Sequence, residues 1–349
     1  MGQRLCIFSI AYFPKLKLKV LHKTGQLILQ EPVDGQKYME SFSKNEFDNV
    51  VEIALLADRQ TTEFSKNKMI STFAFDPIKF RRQLKELKPK KGLLQISKGI
   101  DWKYDTFYNA LLSGNVGTGK SYTMFAIIGQ LLQVTKFVYI IDPKRSDLAG
   151  LKHVPELKNN VFSVASEINQ AVIDFYTKMM ARAEKIEAIK VSGQVGTYKD
   201  FGFTPYFLVF DEFGAYYEMN DRLAYDDPTK DSYETAMSNL REIAMLGREL
   251  GFYILIGMQR PDAGTLPMAI RNQLNMRINM GVPTPEIEKM VFPDNEKQLR
   301  PLSSSLKGSG FIKIGDSQVR SFFAPEVPKD FNLHEYMREN IAIRERQGK

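Results

Sequence analysis

Leu111-Leu112-Ser113-Gly114-Asn115-Val116-Gly117-Thr118-Gly119-Lys120-Ser121 is the stretch on which the fold turns. A short apolar run leads into G-x-x-x-x-G-K-S, the phosphate-loop pattern. Glycines let backbone N–H groups fold around phosphate oxygens, and the helix that follows turns its positive end toward them. Lys120 has the reach for the terminal phosphates, Ser121 offers a hydroxyl for magnesium, and Tyr122 opens the helix beside them. A glycine-rich turn is the plain alternative. The strand before the motif and the helix after it favour the phosphate loop.

Downstream, Tyr206-Phe207-Leu208-Val209-Phe210 is an apolar strand that ends in Asp211-Glu212. At the carboxyl end of a parallel strand, such a pair faces the ligand crevice. Asp211 suits magnesium, held through water. Glu212 suits activation of a water for attack on a γ-phosphate. The adjacent pair favours hydrolysis over transfer, and no acceptor site is recognisable, so a P-loop kinase is disfavoured. A further buried strand, Phe252-Tyr253-Ile254-Leu255-Ile256-Gly257, leads to Met258-Gln259-Arg260-Pro261. Gln259 is placed to sense a γ-phosphate or orient water, although a strand-terminal glutamine alone is more often a plain hydrogen-bond partner. Asp142-Pro143-Lys144-Arg145 exits another strand at the same edge. Asp142 or Lys144 lines either the nucleotide or a subunit interface there, or the segment is a simple turn.

Around these motifs, apolar runs at 109–113, 137–141, 206–210, 252–257 and 276–280 alternate with helical patterns at 121–132, 166–188, 233–250 and 266–273. Continuous apolar strands between helices predict an α/β fold with a mostly parallel central sheet covered on both faces. Residues 311–314 and 319–323 predict a closing hairpin. The polar stretch 214–232 reads as a flexible surface loop, and the tail 331–349 as a loose charged helix.

The 349 residues are 43% hydrophobic and 26% charged, the composition of a soluble globular chain. Cys6 is the single cysteine, so no internal disulfide forms, and a reducing, cytoplasmic setting fits. His22, His153 and His334 are scattered, without zinc spacing. No apolar run is long enough to cross a bilayer, and residues 5–13 read as a buried strand. The formal charge is +7, and residues 1–100 carry 18 basic against 10 acidic side chains. Such a basic end suits nucleic acid or an anionic membrane surface.

Residues 1–91 predict a small mixed α+β N-terminal module. Lys15-Leu16-Lys17-Leu18-Lys19-Val20 alternates as a half-buried strand, residues 22–25 turn, and 26–30 return. Residues 45–56 have mixed helical spacing, and 70–75 read as a strand. Asp76-Pro77 starts a helix through Leu87. The break at 88–92 sets the boundary, leaving 92–330 as the large domain. Lys15, Lys17 and Lys19 share a face fit for phosphate or lipid headgroups, or equally for a solvated edge strand.

The strings LLSGNVGTGKS (111–121), IIDPKRSDLAGL (140–151), YFLVFDEF (206–213), GRELGFYILIGMQRPDA (247–263) and GSGFIKIGDSQVRSFFAPEVP (308–328) resemble, in order and spacing, the motor domain of FtsK/SpoIIIE-type DNA translocases, most like the Tcp-type coupling proteins of conjugative elements. The resemblance covers about residues 92–328. It implies a RecA-like fold, a hexameric ring, ATP and Mg2+ as cofactors, and ATP-driven movement of DNA. Residues Gly114 to Ser121 match its Walker A loop, Asp211 and Glu212 its Walker B pair, and Gln259 its QRP glutamine. Arg248, eleven residues before Gln259, matches a trans-acting arginine. The partners so implied are single- or double-stranded DNA, further copies of the chain, and membrane-bound secretion or relaxosome-type proteins that recruit it to the inner face of the membrane. Packaging and replication-associated ATPases of the same superfamily, or a nucleotide-dependent assembly protein that pumps no DNA, are the alternatives. The resemblance leads one to expect transmembrane helices ahead of the motor in anchored members and a winged helix after it in chromosome translocases, and neither is recognisable within these 349 residues. Residues 192–203, with Lys199, are the candidate DNA-contacting loop.

Overall fold

The structure, a computed structural model, describes residues 16–32, 51–52, 57–65, 67–75, 81–224, 226–295, 299, 302 and 307–348. The expected strand at 5–13, Lys15 and the start of the expected 76–87 helix lie outside these residues, as does most of 45–56. The chain divides into two compact units, Met1–Phe80 and Arg81–Lys349.

The first unit is an antiparallel sheet of β1 (Lys17–Leu21), β2 (Gln26–Pro32), β3 (Asp58–Ser65) and β4 (Lys68–Ala74), in the order β1-β2-β4-β3. Leu27, Leu29, Ala57 and Phe73 form its core. β1 is the edge strand, and Leu16, Leu18 and Val20 are exposed along with Lys17 and Lys19. The alternation is real, but neither face of β1 is buried.

The second unit begins with β5 (Leu94–Ser97) and β6 (Ile100–Trp102), a short antiparallel pair. Its main sheet has eight strands: β7 (Ala110–Gly114), β8 (Val138–Ile141), β9 (Val161–Phe162), β10 (Tyr206–Phe210), β11 (Phe252–Met258), β12 (Met276–Met280), β13 (Ser309–Ile314) and β14 (Arg320–Phe323). Their order is β14-β13-β12-β7-β11-β10-β8-β9. The six strands from β12 to β9 run parallel, and β13 and β14 add an antiparallel edge. Every residue of β7, β8 and β11 is buried, as strands covered on both faces require. This is the RecA-like α/β sheet.

Helices α1 (Lys120–Val134), α2 (Ala165–Lys190), α3 (Phe213–Asp221) and α4 (Pro228–Leu250) cover it, followed by α5 (Met268–Arg271), α6 (Pro285–Val291) and α7 (Leu333–Arg346). Among the described residues no helix is long and apolar enough to cross a membrane.

Four expectations need correction. Residues 214–232 are largely helical rather than a flexible loop. Tyr216 and Asn220 of α3 are buried, and the Tyr216 hydroxyl donates to Asn169 Oδ1 at 2.8 Å. Asn169 Nδ2 donates in turn to Ser232 Oγ at 3.0 Å. Asp227 caps α4 by accepting from the Thr229 N–H, with Pro228 at the first helical position. The unit boundary falls at 80/81, not 91/92. Glu326 N donates to the Arg82 carbonyl at 2.7 Å, and Leu84 and Leu87 pack with Ala126. Within 81–87 the predicted helix is replaced by a single 3-10 turn, Leu84–Glu86.

The tail, finally, is docked. Met337, Asn340, Ile341 and Arg344 of α7 are buried against α1. Tyr336 lies so close to Gly129 that a Cβ there would come within 2.5 Å of its ring. Asn340 Oδ1 accepts from Gln133 Nε2 at 2.6 Å. Arg344 Nη1 donates to the carbonyls of Leu132 and Thr135, placing a cation at the carboxyl end of the phosphate-loop helix. Arg344→Ala is expected to lower the unfolding free energy of this unit by about 2 kcal/mol. Urea unfolding followed by tryptophan fluorescence measures it, since Trp102 is the single tryptophan. An unchanged midpoint would show that Arg344 adds nothing to the end of α1.

Candidate active site

The phosphate loop joins β7 to α1 at the carboxyl edge of the parallel strands, where α/β folds place ligands. Gly119 adopts φ 102°, and a Cβ there would lie 3.1 Å from Gly308 Cα. The loop is also bonded from that side: Gly308 N donates to the Thr118 carbonyl at 3.0 Å. Within the loop, Thr118 Oγ1 donates to the Asn115 carbonyl at 2.7 Å.

Lys120 Nζ lies between two carboxylates, 3.2 Å from Asp211 Oδ1 and 3.0 Å from Glu212 Oε2. All three side chains are only 9–11% exposed. Glu212 carries φ 65° and ψ 67°, the left-handed region that a non-glycine residue rarely adopts. That turn bends the chain out of β10 and into α3. Its Oε1 accepts from the Gln259 backbone N–H at 3.0 Å, and its Oε2 also meets Lys144 Nζ at 3.5 Å. The Gln259 carbonyl accepts from Ser113 Oγ at 3.2 Å. The ends of β7, β10 and β11 are thereby tied together through side chains.

The loop opens into a cleft of about 800 Å³, within the range of small-ligand sites. Gly114, Asn115, Val116, Gly117, Gly119, Lys120, Ser121 and Tyr122 line it, together with Asp211, Glu212 and Gln259. Thr118 points its hydroxyl back into the loop and does not line the cleft. Lys144 does, whereas Asp142 is buried in its own turn and accepts from Ser146 Oγ and the Ala149 N–H, both at 2.9 Å.

Arg248 stands apart. It is exposed near the carboxyl end of α4, with its guanidinium 5.5 Å from the centre of the Tyr108 ring. Since α4 feeds the start of β11, Arg248 is at the sheet edge opposite the phosphate loop. Residues 192–203 lie at that edge too, ahead of β10. Their exposed part includes Val195, while Tyr198 is buried, its hydroxyl donating to Asp105 Oδ1 at 2.6 Å. Lys199 Nζ is 3.7 Å from Asp105 Oδ2.

Nothing in the sequence marks the opposite wall of the cleft. Arg81, Lys307 and Gly308 contribute to it, with residues 324–329. Arg81 and Lys307 lie in no motif, and only the fold brings them to the phosphate loop.

A RecA-like sheet with a phosphate loop, a paired carboxylate strand end and a neighbouring glutamine is the arrangement of a P-loop nucleoside triphosphatase. No protein-family profile matches the chain. The FtsK-domain-containing protein YdcQ of Bacillus subtilis is 28% identical over 325 residues, covering 93% of this chain and 64% of YdcQ. The DNA translocase FtsK of Chlamydia pneumoniae is 23% identical over 227 residues, 26% of its length. The chain thus spans less than two thirds of either relative. Among solved structures, the pCW3 conjugation coupling protein TcpA, in its monomer form with ATPγS, superposes with a TM-score of 0.59 at 20% identity, covering 94% of each chain. EssC (ATPases 2 and 3) of Geobacillus thermodenitrificans gives 0.58 at 15% identity, covering 78% of this chain and 52% of EssC. In sequence the likeness is to FtsK-domain proteins, and in fold to the coupling protein TcpA.

Burial raises the Asp211 carboxyl above its ordinary value of 3.8; Lys120 opposes the rise, while Asp142 and Glu212 add to it. The folded chain therefore holds this proton more tightly than the unfolded chain does. Ionised Asp211 is a cost at neutral pH, and the cost fades as pH falls through the raised value. Asp211→Asn is expected to be more stable than the parent at pH 7, an advantage that shrinks toward pH 4. Denaturant melts across that range measure it. A variant less stable than the parent at pH 7 would mean that the attraction to Lys120 outweighs burial.

Proposed function

We propose that this chain is the ATP-hydrolysing motor of a DNA translocase that works as a ring, of the coupling or transfer kind used by conjugative mobile elements. The observation that carries the reading is Lys120 held between Asp211 and Glu212, with the Gln259 N–H on Glu212. A γ-phosphoryl group in the loop competes with both carboxylates for Lys120. When Lys120 turns to the phosphate, Glu212 Oε2 loses its nearer cation and gains basicity toward a water. Glu212 then acts as general base, Lys120 offsets charge on the γ-phosphoryl, and Gln259 registers it.

Magnesium suits the donor set. The Ser121 hydroxyl and the Asp211 carboxylate are hard oxygen ligands, and two protein oxygens plus nucleotide phosphates are a usual magnesium shell. The buried Asp211 gains most from a cation beside it. The ion would neutralise charge building between the β- and γ-phosphates.

Arg248, exposed at the far edge of the sheet, is assigned to the cleft of a neighbouring subunit in a hexamer. DNA contacts are assigned to residues 192–203, through phosphate charge rather than base identity. Residues 1–80 recruit the motor to membrane-bound secretion or relaxosome-type proteins on the cytoplasmic side of the membrane.

ATP hydrolysis measured with double- and single-stranded DNA across a salt series tests the reading. Stimulation that weakens steeply with salt is expected, and turnover is expected to be lost in Lys120→Ala and Glu212→Gln. Lys199→Ala is expected to raise, severalfold, the DNA concentration needed for half-maximal stimulation. Hydrolysis indifferent to both forms of DNA would overturn the motor reading in favour of a nucleotide-dependent assembly protein.

A further inference from the structure

Arg81 is the first residue of the larger unit, and it faces the same cleft as the phosphate loop. Its Nη2 donates to the Lys307 carbonyl, and its guanidinium lies 5.9 Å from the centre of the Phe323 ring. Its Nε is buried and has no hydrogen-bond partner among the described residues. Burial lowers the guanidinium pKa below the ordinary value, although Glu326 acts to raise it. A guanidinium held this way is short of acceptors, and five donors in a rigid fork suit phosphate oxygens.

Its place relative to the loop is fixed by the sheet. β7 carries the phosphate loop. Two strands to one side, β10 ends in Asp211 and Glu212; two strands to the other side, β13 starts at Ser309, next to Gly308. Gly308 separates Arg81 from the loop. A Cβ on Gly308 would lie 3.2 Å from Arg81 Nη2, and one on Gly119 would lie 3.1 Å from Gly308 Cα. Arg81 and the acidic pair therefore flank the loop from opposite sides.

The residues after Arg81 are bonded into the same wall. Arg82 Nε donates to the Ser97 carbonyl at 3.4 Å, while the Arg82 carbonyl accepts from Glu326 N at 2.7 Å. Leu84 N donates to the Glu326 carbonyl at 3.4 Å, and Gln83 forms a parallel bridge with Glu326. Ala324 N donates to the Gly308 carbonyl at 2.8 Å. A hydrogen-bonded path thus runs from Thr118 in the loop, through Gly308 and residues 324–326, to residues 82–84.

We propose that Arg81 is a nucleotide-binding residue that donates to a non-terminal phosphate oxygen, and that residues 81–84, the start of the chain leading back to the N-terminal unit, tighten onto residues 324–326 when nucleotide is bound. The inference rests on the cleft being a nucleotide site. Glu212 and Gln259 read the γ-phosphoryl group. Arg81, on the other flank, reads what ADP and ATP share.

The test uses the full chain with Arg81→Gln and Arg81→Lys, titrated with a fluorescent ADP and with ATPγS in competition. Arg81→Gln is expected to weaken ADP and ATPγS alike by about tenfold, the loss of one charge-assisted hydrogen bond, and Arg81→Lys to recover part of that loss. Hydrogen exchange at the Leu84 and Glu326 amides is expected to slow with saturating ADP in the parent but not in Arg81→Gln. Melting without nucleotide checks that the variants fold; should Arg81→Gln fail to fold, Arg81→Lys decides by its intermediate affinity. Unchanged ADP affinity in a folded Arg81→Gln, or amides at 84 and 326 that ignore ADP while the loop becomes protected, would overturn the proposal and leave the nucleotide site standing. A parent that binds neither nucleotide would overturn both.

Discussion

Two buried carboxylates cannot stay ionised beside each other without a cation, and Lys120 is that cation. Its ion pairs with Asp211 and Glu212 join strand ends that the chain separates by about ninety residues. The sheet order makes the meeting possible, since β11 alone stands between β7 and β10. β11 is itself drawn in, because the backbone N–H of Gln259 bonds to Glu212. Removal of Lys120 leaves both carboxylates uncompensated at low exposure, where desolvation is most costly. The left-handed turn at Glu212 is the local strain that this arrangement holds in place.

Much of the fold was legible because its strands are buried on both faces. Runs such as Phe252-Tyr253-Ile254-Leu255-Ile256 have one physical explanation between helices, and their positions followed from composition and length. The misreadings share a cause. Residues 214–232 look polar, but their order comes from Tyr216, Asn220 and Ser232 meeting Asn169 some fifty to sixty residues earlier. A local cue exists in Asp227-Pro228, the same cap and first-turn pair that Asp76-Pro77 presents. The docking of α7 had no local cue, since its buried face includes Asn340 and Arg344, side chains that read as solvent-facing until Gln133 and the end of α1 are brought to them. The boundary near residue 91 followed a run of lysine, proline and glycine, whereas the actual division is set by where Arg82 finds its backbone partner.

The same distinction divides the cleft. Its motif residues were legible because a phosphate loop is encoded locally, in glycines and a following helix, and because the strand-terminal carboxylates must lie at the same sheet edge. The wall formed by Arg81, Lys307 and residues 324–326 was not legible. No spacing rule connects Arg81 to Gly308, more than two hundred residues later, and the closing hairpin gave no hint that its flanks line a ligand site.

The two ends of the parallel sheet carry different chemistry, and β11 runs between them. At its carboxyl end, Gln259 is bonded to Glu212 beside the phosphate loop. At its amino end, the Tyr253 hydroxyl and the Tyr198 hydroxyl share Asp105, and Arg182 stacks over Phe252 while donating to the Leu250 carbonyl. Seven residues of extended chain span roughly 20 Å, and a fully buried strand bonded on both sides does not bend to absorb a displacement over that length. In the proposed motor, a shift of Glu212 imposed at the nucleotide end would pass to Tyr198 and residues 192–203 as a movement of the strand as a whole. Lys199 is already paired with Asp105, so its availability to an external phosphate depends on how closely Asp105 is held by the two tyrosines. For the proposed motor, this places the competition for Lys120 at one end of β11 and the competition for Lys199 at the other, with the strand as the rigid element that couples them.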